Sequence, residues 1–432
     1  MRVQVRLLLA AALAVVALLI PVATSAATTS AASLTSPYGC SWLAYSDPNV
    51  FNIAFPDQNA TYWATVLPNI PTAGLTITGS YPDARYFSFI AYDPLLRPVG
   101  GLHDSQITPS TGVNPYVYGR SGTGTYTIHI LPEDAPAKPA ANTIYTGQMY
   151  GGEPNPGGIV LYRLYVPTDS ISPTGGVDLP QISYSLDGLT ETLPPCTTVA
   201  GLPEIDLNSI FTDSNYPSVL DPIALGATAT PTWAKSFGYS SVFASVSPSL
   251  EPLAPGGGAY LSNPDNNYIG AAIDHKYGNL VVFRARMPRF PDTTAGEPPW
   301  QPGQQVRYWS ICENEKFTTR YVGCIADYQA VLRKGIATFV ISDPDARPAN
   351  AYPADGINWL PWGDYPDGLI IYRQMLAASS FKQAVARITQ GEALAPTMGA
   401  YLPQIGYCSK AEFEKAGANG CLGSFAPKHR RR

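Results

Sequence analysis

The chain contains an internal repeat, and this repeat constrains its fold more than any other feature. The run Arg85-Tyr86-Phe87-Ser88 returns as Arg307-Tyr308-Trp309-Ser310. Further matches follow in the same order: 104–106 with 327–329, 126–130 with 337–341, 142–144 with 358–360, and 158–163 with 368–373. A single match arises by chance, but an ordered series does not. We therefore predict two copies of one unit, at 35–200 and 220–405, with a linker at 201–219 and a tail at 406–432.

The composition indicates which kind of unit is repeated. Glycine (38 residues) and proline (42 residues) make up about a fifth of the 432 residues, which disfavours long helices. Short apolar runs between such turn residues are typical of strands. We predict an all-β dominated protein of two tandem β-sandwich or jelly-roll-like domains with a short helical C-terminal segment. That segment begins at Ser409, with Glu412 completing a capping box, and Gly417 is suited to end its helix.

The N-terminus has the pattern of a secretory signal. Arg2 and Arg6 precede an apolar stretch at 7–22, and small residues follow up to Ala26. We expect cleavage of residues 1–26, no membrane span after cleavage, and a protein that is secreted or held in the cell envelope. The net charge of −5 lacks the basic excess typical of nucleic-acid binding, so we expect no nucleic-acid partner.

The cysteine count is even, which in an exported chain favours disulfides. The cysteines are Cys40, Cys196, Cys312, Cys324, Cys408 and Cys421. Fifteen pairings are possible for six cysteines. We expect Cys40–Cys196, which ties the ends of copy one together, and Cys312–Cys324 and Cys408–Cys421, which close short loops. No pair has CxxC spacing and the four histidines are scattered, so we predict no metal site and no cofactor.

The repeated blocks also resemble a known family. Copy two contains Arg307-Tyr308-Trp309-Ser310, Asn358-Trp359-Leu360-Pro361 and Tyr372-Arg373, and copy one contains Arg85-Tyr86-Phe87-Ser88 and Tyr162-Arg163. This pattern resembles the β-sandwich domain of DUF1214, a family of exported proteins of unknown function in which DUF1254 is a frequent neighbour. Copy one departs from the pattern because it lacks Trp-Leu-Pro after Asn142. The resemblance implies a fold and an exported location, and it implies no activity.

Four arginines recur inside apolar strands, where an unpaired charge is costly. They form two equivalent pairs, Arg85 with Arg307 and Arg163 with Arg373, and Asp104 with Asp327 recurs in the loops. We expect each arginine to meet a carboxylate that fixes the strand register, with Asp104 and Asp327 as partners. The alternative is a polar pocket in each domain that binds a carbohydrate or other polar ligand.

Candidates for catalysis are few. Glu313 and Glu315 belong to copy two alone and lie within the Cys312–Cys324 loop, where two carboxylates suit glycoside hydrolysis. The alternative is that they belong to an exposed turn. Asp327 is a further acid, and His103 and His275 are candidate bases or ligands because each lies beside an aspartate.

Aromatic side chains in loops suit sugar stacking, and Trp359 and Trp362 are the clearest candidates. The alternative is that they fill the core. Three hypotheses remain: a secreted protein that binds a polar or carbohydrate ligand, a secreted glycan hydrolase that uses loop carboxylates, and a structural protein of the cell envelope. The first is favoured, with an extracellular glycan or envelope component as partner. The basic residues at 428–432 form a tail suited to an anionic polymer. The sequence leaves the oligomeric state open.

Overall fold

A computed structural model describes residues 39–47, 52, 55–68, 73–94, 96–117, 119–149, 152–168, 172–196, 226–235, 261–316, 318–389 and 391–425. The predicted signal at 1–26, the linker at 201–219 and the basic tail at 428–432 lie outside these ranges. Across the described part, helices are too short or too polar to cross a bilayer.

The chain divides into two compact units, and neither is a single stretch of sequence. Unit 1 comprises Met1–Phe51, Ala60–Ile205 and Ala244–Asn263, and unit 2 comprises Asn52–Asn59, Asp206–Phe243 and Pro264–Arg432. The division differs from the predicted boundaries at two places. Residues 52–59 lie within copy one of the sequence but belong to unit 2, and residues 244–263 lie within copy two but belong to unit 1.

Unit 1 consists of two antiparallel sheets, apart from one parallel pair. The first has the order β1 (Ala44–Ser46), β2 (Ala60–Pro68), β9 (Gly157–Pro167), β4 (Ala84–Tyr92) and β5 (Pro98–His103). The second has the order β11 (Leu189–Leu193), β10 (Gln181–Leu186), β3 (Ala73–Ser80), β7 (Gly124–Leu131) and β6 (Thr111–Gly112), and β8 (Thr143–Tyr145) runs parallel to β7. Alternate residues of these strands form one aromatic core, in which the rings of Phe89 and Tyr162 stack at 4.7 Å between centroids.

Unit 2 repeats this strand order. Its first sheet has the order β12 (Asn266–Asp274), β18 (Asp367–Met375), β14 (Tyr308–Asn314) and β15 (Tyr321–Ala326), which corresponds to β2-β9-β4-β5. Its second has the order β17 (Ile357–Pro361), β16 (Ile336–Ser342), β13 (Leu280–Arg286) and β19 (Gln404–Tyr407), which corresponds to β8-β7-β3-β10. The prediction of an all-β dominated fold is confirmed, and eight strands share one order in the two units, as the repeat predicts.

Strand β14 is buried along its whole length because both of its faces are covered. Trp309 and Ile311 point into the core of unit 2. Tyr308 and Ser310 alternate with them, point to the other face and contact Asp57 of the 52–59 segment. The burial of both faces therefore includes polar residues, since Ser310, Glu313 and Asn314 are each 0% exposed.

The C-terminal segment contains a four-residue helix, α1 (Ala395–Met398), and a longer one, α2 (Lys410–Leu422). The Ser409 side chain accepts a hydrogen bond from the Glu412 amide, as the capping box predicts. Gly417 has φ 61° and interrupts the helical geometry inside α2, so the chain continues past the predicted end. Cys40–Cys196, Cys312–Cys324 and Cys408–Cys421 are all bonded, which confirms the predicted pairing.

Candidate functional site

The repeated arginines are buried parts of the framework. Arg163 donates to the hydroxyl of Tyr92 at 2.5 Å and to the carbonyl oxygen of Leu261. Its counterpart Arg373 donates to the carbonyl oxygen of Phe55 at 2.7 Å and to the Cys312 sulfur at 2.8 Å. The expectation of a carboxylate partner is wrong for Arg163, whose contacts in the described part of unit 1 are neutral oxygens and tyrosine rings.

Asp104 and Asp327 are buried and bind backbone amides. Asp104 accepts from the amides of Phe87 and Ser105 at 3.2 and 2.6 Å. Asp327 accepts from the equivalent amides of Trp309 and Tyr328, at 3.1 and 2.8 Å. These contacts tie the turn after one strand to its neighbouring strand. Arg85 and Arg307 are fully buried too, so none of these four side chains is displayed on the surface.

The 52–59 segment fixes a buried carboxylate over the outer face of β14. Asp57 accepts from the Tyr308 hydroxyl at 3.0 Å and from the Ser310 hydroxyl at 2.6 Å. Its carboxylate lies within 4.8 Å of the sulfurs of Cys312 and Cys324, but these are joined in a disulfide and offer no thiolate to a metal.

Unit 1 has an equivalent contact with an amide in place of the carboxylate. The Asn263 side chain bonds the Tyr86 hydroxyl, and Leu261 precedes it in the positive-φ conformation that Phe55 adopts before Asp57. Asp57 therefore corresponds in structure to Asn263.

Glu313 and Glu315 do not form an exposed turn. Glu313 lies in β14 and is 0% exposed, and Glu315 is 5% exposed. Glu315 binds the Arg320 guanidinium through both oxygens, at 2.8 Å each. Burial and the nearby Asp367 carboxylate raise the pKa of Glu313 well above its ordinary value, and the Leu369 amide acts in the opposite direction. This environment therefore favours the neutral form of the carboxyl group.

The substitution Glu313→Gln should remove a pH dependence of stability. Folding raises the pKa of Glu313, so the unfolded chain releases this proton at a lower pH than the folded chain does. Between the two pKa values, the wild type therefore loses up to about 1.4 kcal/mol of unfolding free energy per pH unit as the pH increases. The variant keeps a neutral amide throughout. Urea unfolding between pH 4 and 8 should show equal stabilities at pH 4 and a growing advantage for the variant above it. A difference between the variant and the wild type that stays constant with pH would contradict this.

A surface groove lies at one end of unit 2, with a volume of about 590 Å³. It is lined by Tyr277, Gly278, Asn279, Leu280, Ala346, Tyr407, Cys408, Ser409 and Lys410. The rings of Tyr277 and Tyr407 are 5.9 Å apart between centroids, with 45° between their planes. Gly278 allows this arrangement, because a Cβ there would lie 3.2 Å from Tyr407 side-chain atoms. The two rings thus form an aromatic wall that is partly open to solvent.

Hydrogen bonds and a cation fix the two rings in place. The Tyr407 hydroxyl accepts from the Asp274 amide at 2.9 Å, and burial raises the pKa of this hydroxyl, so it stays protonated. Lys276 pairs with the Asp274 carboxylate at 2.8 Å and places its ammonium 5.0 Å from the centre of the Tyr277 ring. The tyrosines are therefore held before any ligand binds, which lowers the entropic cost of binding.

His275 and Trp362 lie next to the groove. The His275 ring stacks on Trp362 at 3.9 Å between centroids, lies 3.2 Å from the Asn279 side-chain oxygen through Nδ1, and lies 3.6 Å from the Asp343 carboxylate through Nε2. Trp362 is 1% exposed, so it supports this histidine and presents no open face. His275 is thus a predicted site residue that contacts the groove, through Asn279.

The other predicted site residues lie elsewhere. Trp359 stacks on the Arg347 guanidinium at 4.4 Å and bonds the Ser342 hydroxyl. His103 lies at the end of β5 in unit 1, beside the Tyr86 ring. Asp327 follows β15, at the opposite end of β14 from Glu313, so these two acids do not form a pair.

The sequence analysis selected Cys408 only as a disulfide partner and Ser409 only as a helix cap, and it named no groove residue as a ligand contact. Tyr277 and Asn279 lie in the turn between β12 and β13, and Tyr407 and Lys410 come from the C-terminal segment. One signal was present: the segment Asp-His-Lys-Tyr-Gly-Asn at 274–279 contains charged and aromatic residues, whereas the sequence between the equivalent strands of copy one is Asn-Ile-Pro-Thr. Residues that one copy has and the other lacks are the better candidates for function.

Comparisons with known proteins add two structural likenesses. No protein-family model and no curated protein matches the chain. An uncharacterised protein from Burkholderia cenocepacia shares 13% identity, with a TM-score of 0.43 and 78% of each chain covered. A protein from Vibrio parahaemolyticus shares 12% identity, with a TM-score of 0.38, and the match covers 82% of this chain and 90% of that one. Neither protein is described with an activity.

Proposed function

We propose that this is an exported protein that binds a carbohydrate in the groove of unit 2. The observation that supports this most is the pair of held tyrosine rings, Tyr277 and Tyr407, on the wall of a cavity of about 590 Å³. Ligand sites in proteins have volumes of about 300–1,000 Å³. A groove of this size holds a few sugar residues of a longer chain.

The chemistry of the lining suits a sugar. Pyranose rings have apolar faces that pack on aromatic rings and hydroxyl edges that need hydrogen-bond partners. Tyr277 is 37% exposed and offers such a ring. Asn279, Ser409 and Lys410 supply polar groups around the same cavity. Apolar and polar groups therefore face the ligand together, as recognition of a sugar requires.

Binding without hydrolysis is the form of this function that the site supports. Glycoside hydrolysis needs two carboxyl groups about 5–10 Å apart across the sugar. The nine residues that line the groove include no acid. Glu313 is enclosed in the core side of β14 and Glu315 is held by Arg320, so neither carboxyl is placed to contact a polymer.

Export, and membership of the DUF1214 family, are part of the proposal. The N-terminal pattern at 2–26 supports export, and the three disulfides are compatible with an oxidising compartment outside the cytoplasm. Exported carbohydrate-binding proteins act on envelope or extracellular polymers, and either serves as the ligand here.

The substitution Tyr277→Ala should weaken carbohydrate binding at least about fivefold, which corresponds to about 1 kcal/mol. The ring is exposed at the groove, so its removal deletes a stacking surface with little effect on the core. The measurement is titration calorimetry of the mature protein with the best-binding polysaccharide from a glycan array. Tyr352→Ala is the matched control, because Tyr352 is 46% exposed and lies outside the groove lining. Equal losses in the two variants, or no polysaccharide bound by the wild type, would count against the proposal.

A further inference from the structure

We infer that the carbohydrate is an acidic glycan, one whose sugar ring bears a carboxylate or is esterified with sulfate or phosphate. This inference rests on the proposed function, because it concerns the same groove. It starts from the charges of the lining. Lys410 is the one residue of the nine that carries a formal charge, so the groove wall offers a cation without an acid beside it on the wall.

The Lys410 ammonium is available to a ligand. Its side chain is exposed, and its contact in the described part of unit 2 is the Asp345 carbonyl oxygen at 3.4 Å, a long hydrogen bond. An ammonium has three donors, so this contact leaves donors that can turn toward the groove. Lys410 is not needed to cap α2 either, because the Ser409 side chain does that. A structural role therefore does not account for a lysine at this position.

Two acids near the groove already have side-chain partners of their own. The Asp274 carboxylate pairs with Lys276 at 2.8 Å, and the Asp343 carboxylate lies 3.6 Å from His275. A ligand with an anionic group would meet one open cation beside two tyrosine rings. In a uronic acid, the carboxylate is attached directly to the ring that stacks on the tyrosine, so one sugar residue can satisfy both contacts.

The test compares one polymer with and without its charge. Polygalacturonate and its fully methyl-esterified form share one backbone and differ in the carboxylate. We expect the mature protein to bind polygalacturonate at least tenfold more tightly at 50 mM salt, and the difference should shrink at 500 mM salt because the ammonium is exposed to solvent. Sulfated and phosphorylated glycans in the same calorimetric titration distinguish which anion is preferred.

The variant Lys410→Gln should lower the affinity for the preferred acidic glycan about three- to tenfold and leave binding of the methyl-esterified polymer unchanged. Lys382→Gln is the control, since Lys382 is an exposed lysine outside the groove lining. If the neutral polymer binds as tightly as any acidic one and Tyr277→Ala abolishes both interactions, the proposed function stands and the acidic ligand is wrong. If Lys410→Gln and Lys382→Gln weaken binding equally, the charge acts over the whole surface and the inference fails. If no glycan binds, the proposed function itself fails.

Discussion

Replacing Asp57 by alanine should cost unit 2 about 2–6 kcal/mol of unfolding free energy, because two buried hydroxyl groups lose their charged acceptor at about 1–3 kcal/mol each. The Asp57 carboxylate is 2% exposed and accepts from Tyr308 and Ser310. The contact also holds the 52–59 segment on β14, so the loss should extend to the whole segment.

The control for this prediction is Asp57→Asn, because unit 1 already uses an asparagine at the corresponding place. The Asn263 side-chain oxygen and amide both reach the Tyr86 hydroxyl, which shows that an amide can bond a tyrosine in this setting. We expect Asp57→Asn to lose less than half of what Asp57→Ala loses in urea unfolding monitored by tryptophan fluorescence. Equal losses would mean that the charge of Asp57 itself is needed, and a loss below 1 kcal/mol for alanine would overturn the structural role.

The sequence predicted the repeated fold because the repeated residues make their contacts within their own unit. Asn142 donates to the Thr127 carbonyl oxygen, and Asn358 donates to the matching Thr338 oxygen. Each asparagine therefore bonds a neighbouring strand at the same place in its unit. An ordered series of such positions therefore carried the strand order of both units.

The exchange of short segments between the units was not predictable in the same way. The repeat shows that residues 52–59 and the residues before β12 occupy equivalent positions in the sequence. It does not show whether each segment packs on the sheet of its own copy or on the sheet of the other copy. The contacts that decide the matter join Asp57 to Tyr308 across 251 positions of sequence, and no local pattern encodes such a distance.

Burial of Glu313 could have been predicted from the strand itself. Trp309, Ile311 and Glu313 are two residues apart and therefore share one face of β14, which is the core face. The sequence analysis instead assigned the glutamate to the loop between Cys312 and Cys324. The groove is a different case, because Tyr277 and Tyr407 come together through the pairing of β13 with β19 and are 130 positions apart in sequence.

Removing the Cys40–Cys196 disulfide should destabilise unit 1 by about 5 kcal/mol, the largest effect that we expect from any cross-link in the chain. The bond closes a loop with a sequence separation of 156 residues, and the entropy gained by the unfolded chain on release grows with loop length. The bond also fixes the first strand region to the last, since the Ser41 amide bonds the Pro194 carbonyl oxygen beside it. The measurement is the urea midpoint of the double variant Cys40→Ala/Cys196→Ala.

The matched comparison is Cys312→Ile/Cys324→Gly, which introduces the residues that unit 1 has at these positions. Ile90 and Gly101 face each other across β4 and β5, as Cys312 and Cys324 do across β14 and β15. The separation of 12 residues predicts a loss of about 3 kcal/mol from chain entropy. Because unit 1 folds with isoleucine and glycine at this pair of positions, unit 2 should also keep its fold. If Cys312→Ile/Cys324→Gly lost more unfolding free energy than Cys40→Ala/Cys196→Ala, loop length would not determine the contribution of each disulfide. The contacts of the Cys312 and Cys324 sulfurs with Arg373 and Gln58 would then be the larger contribution.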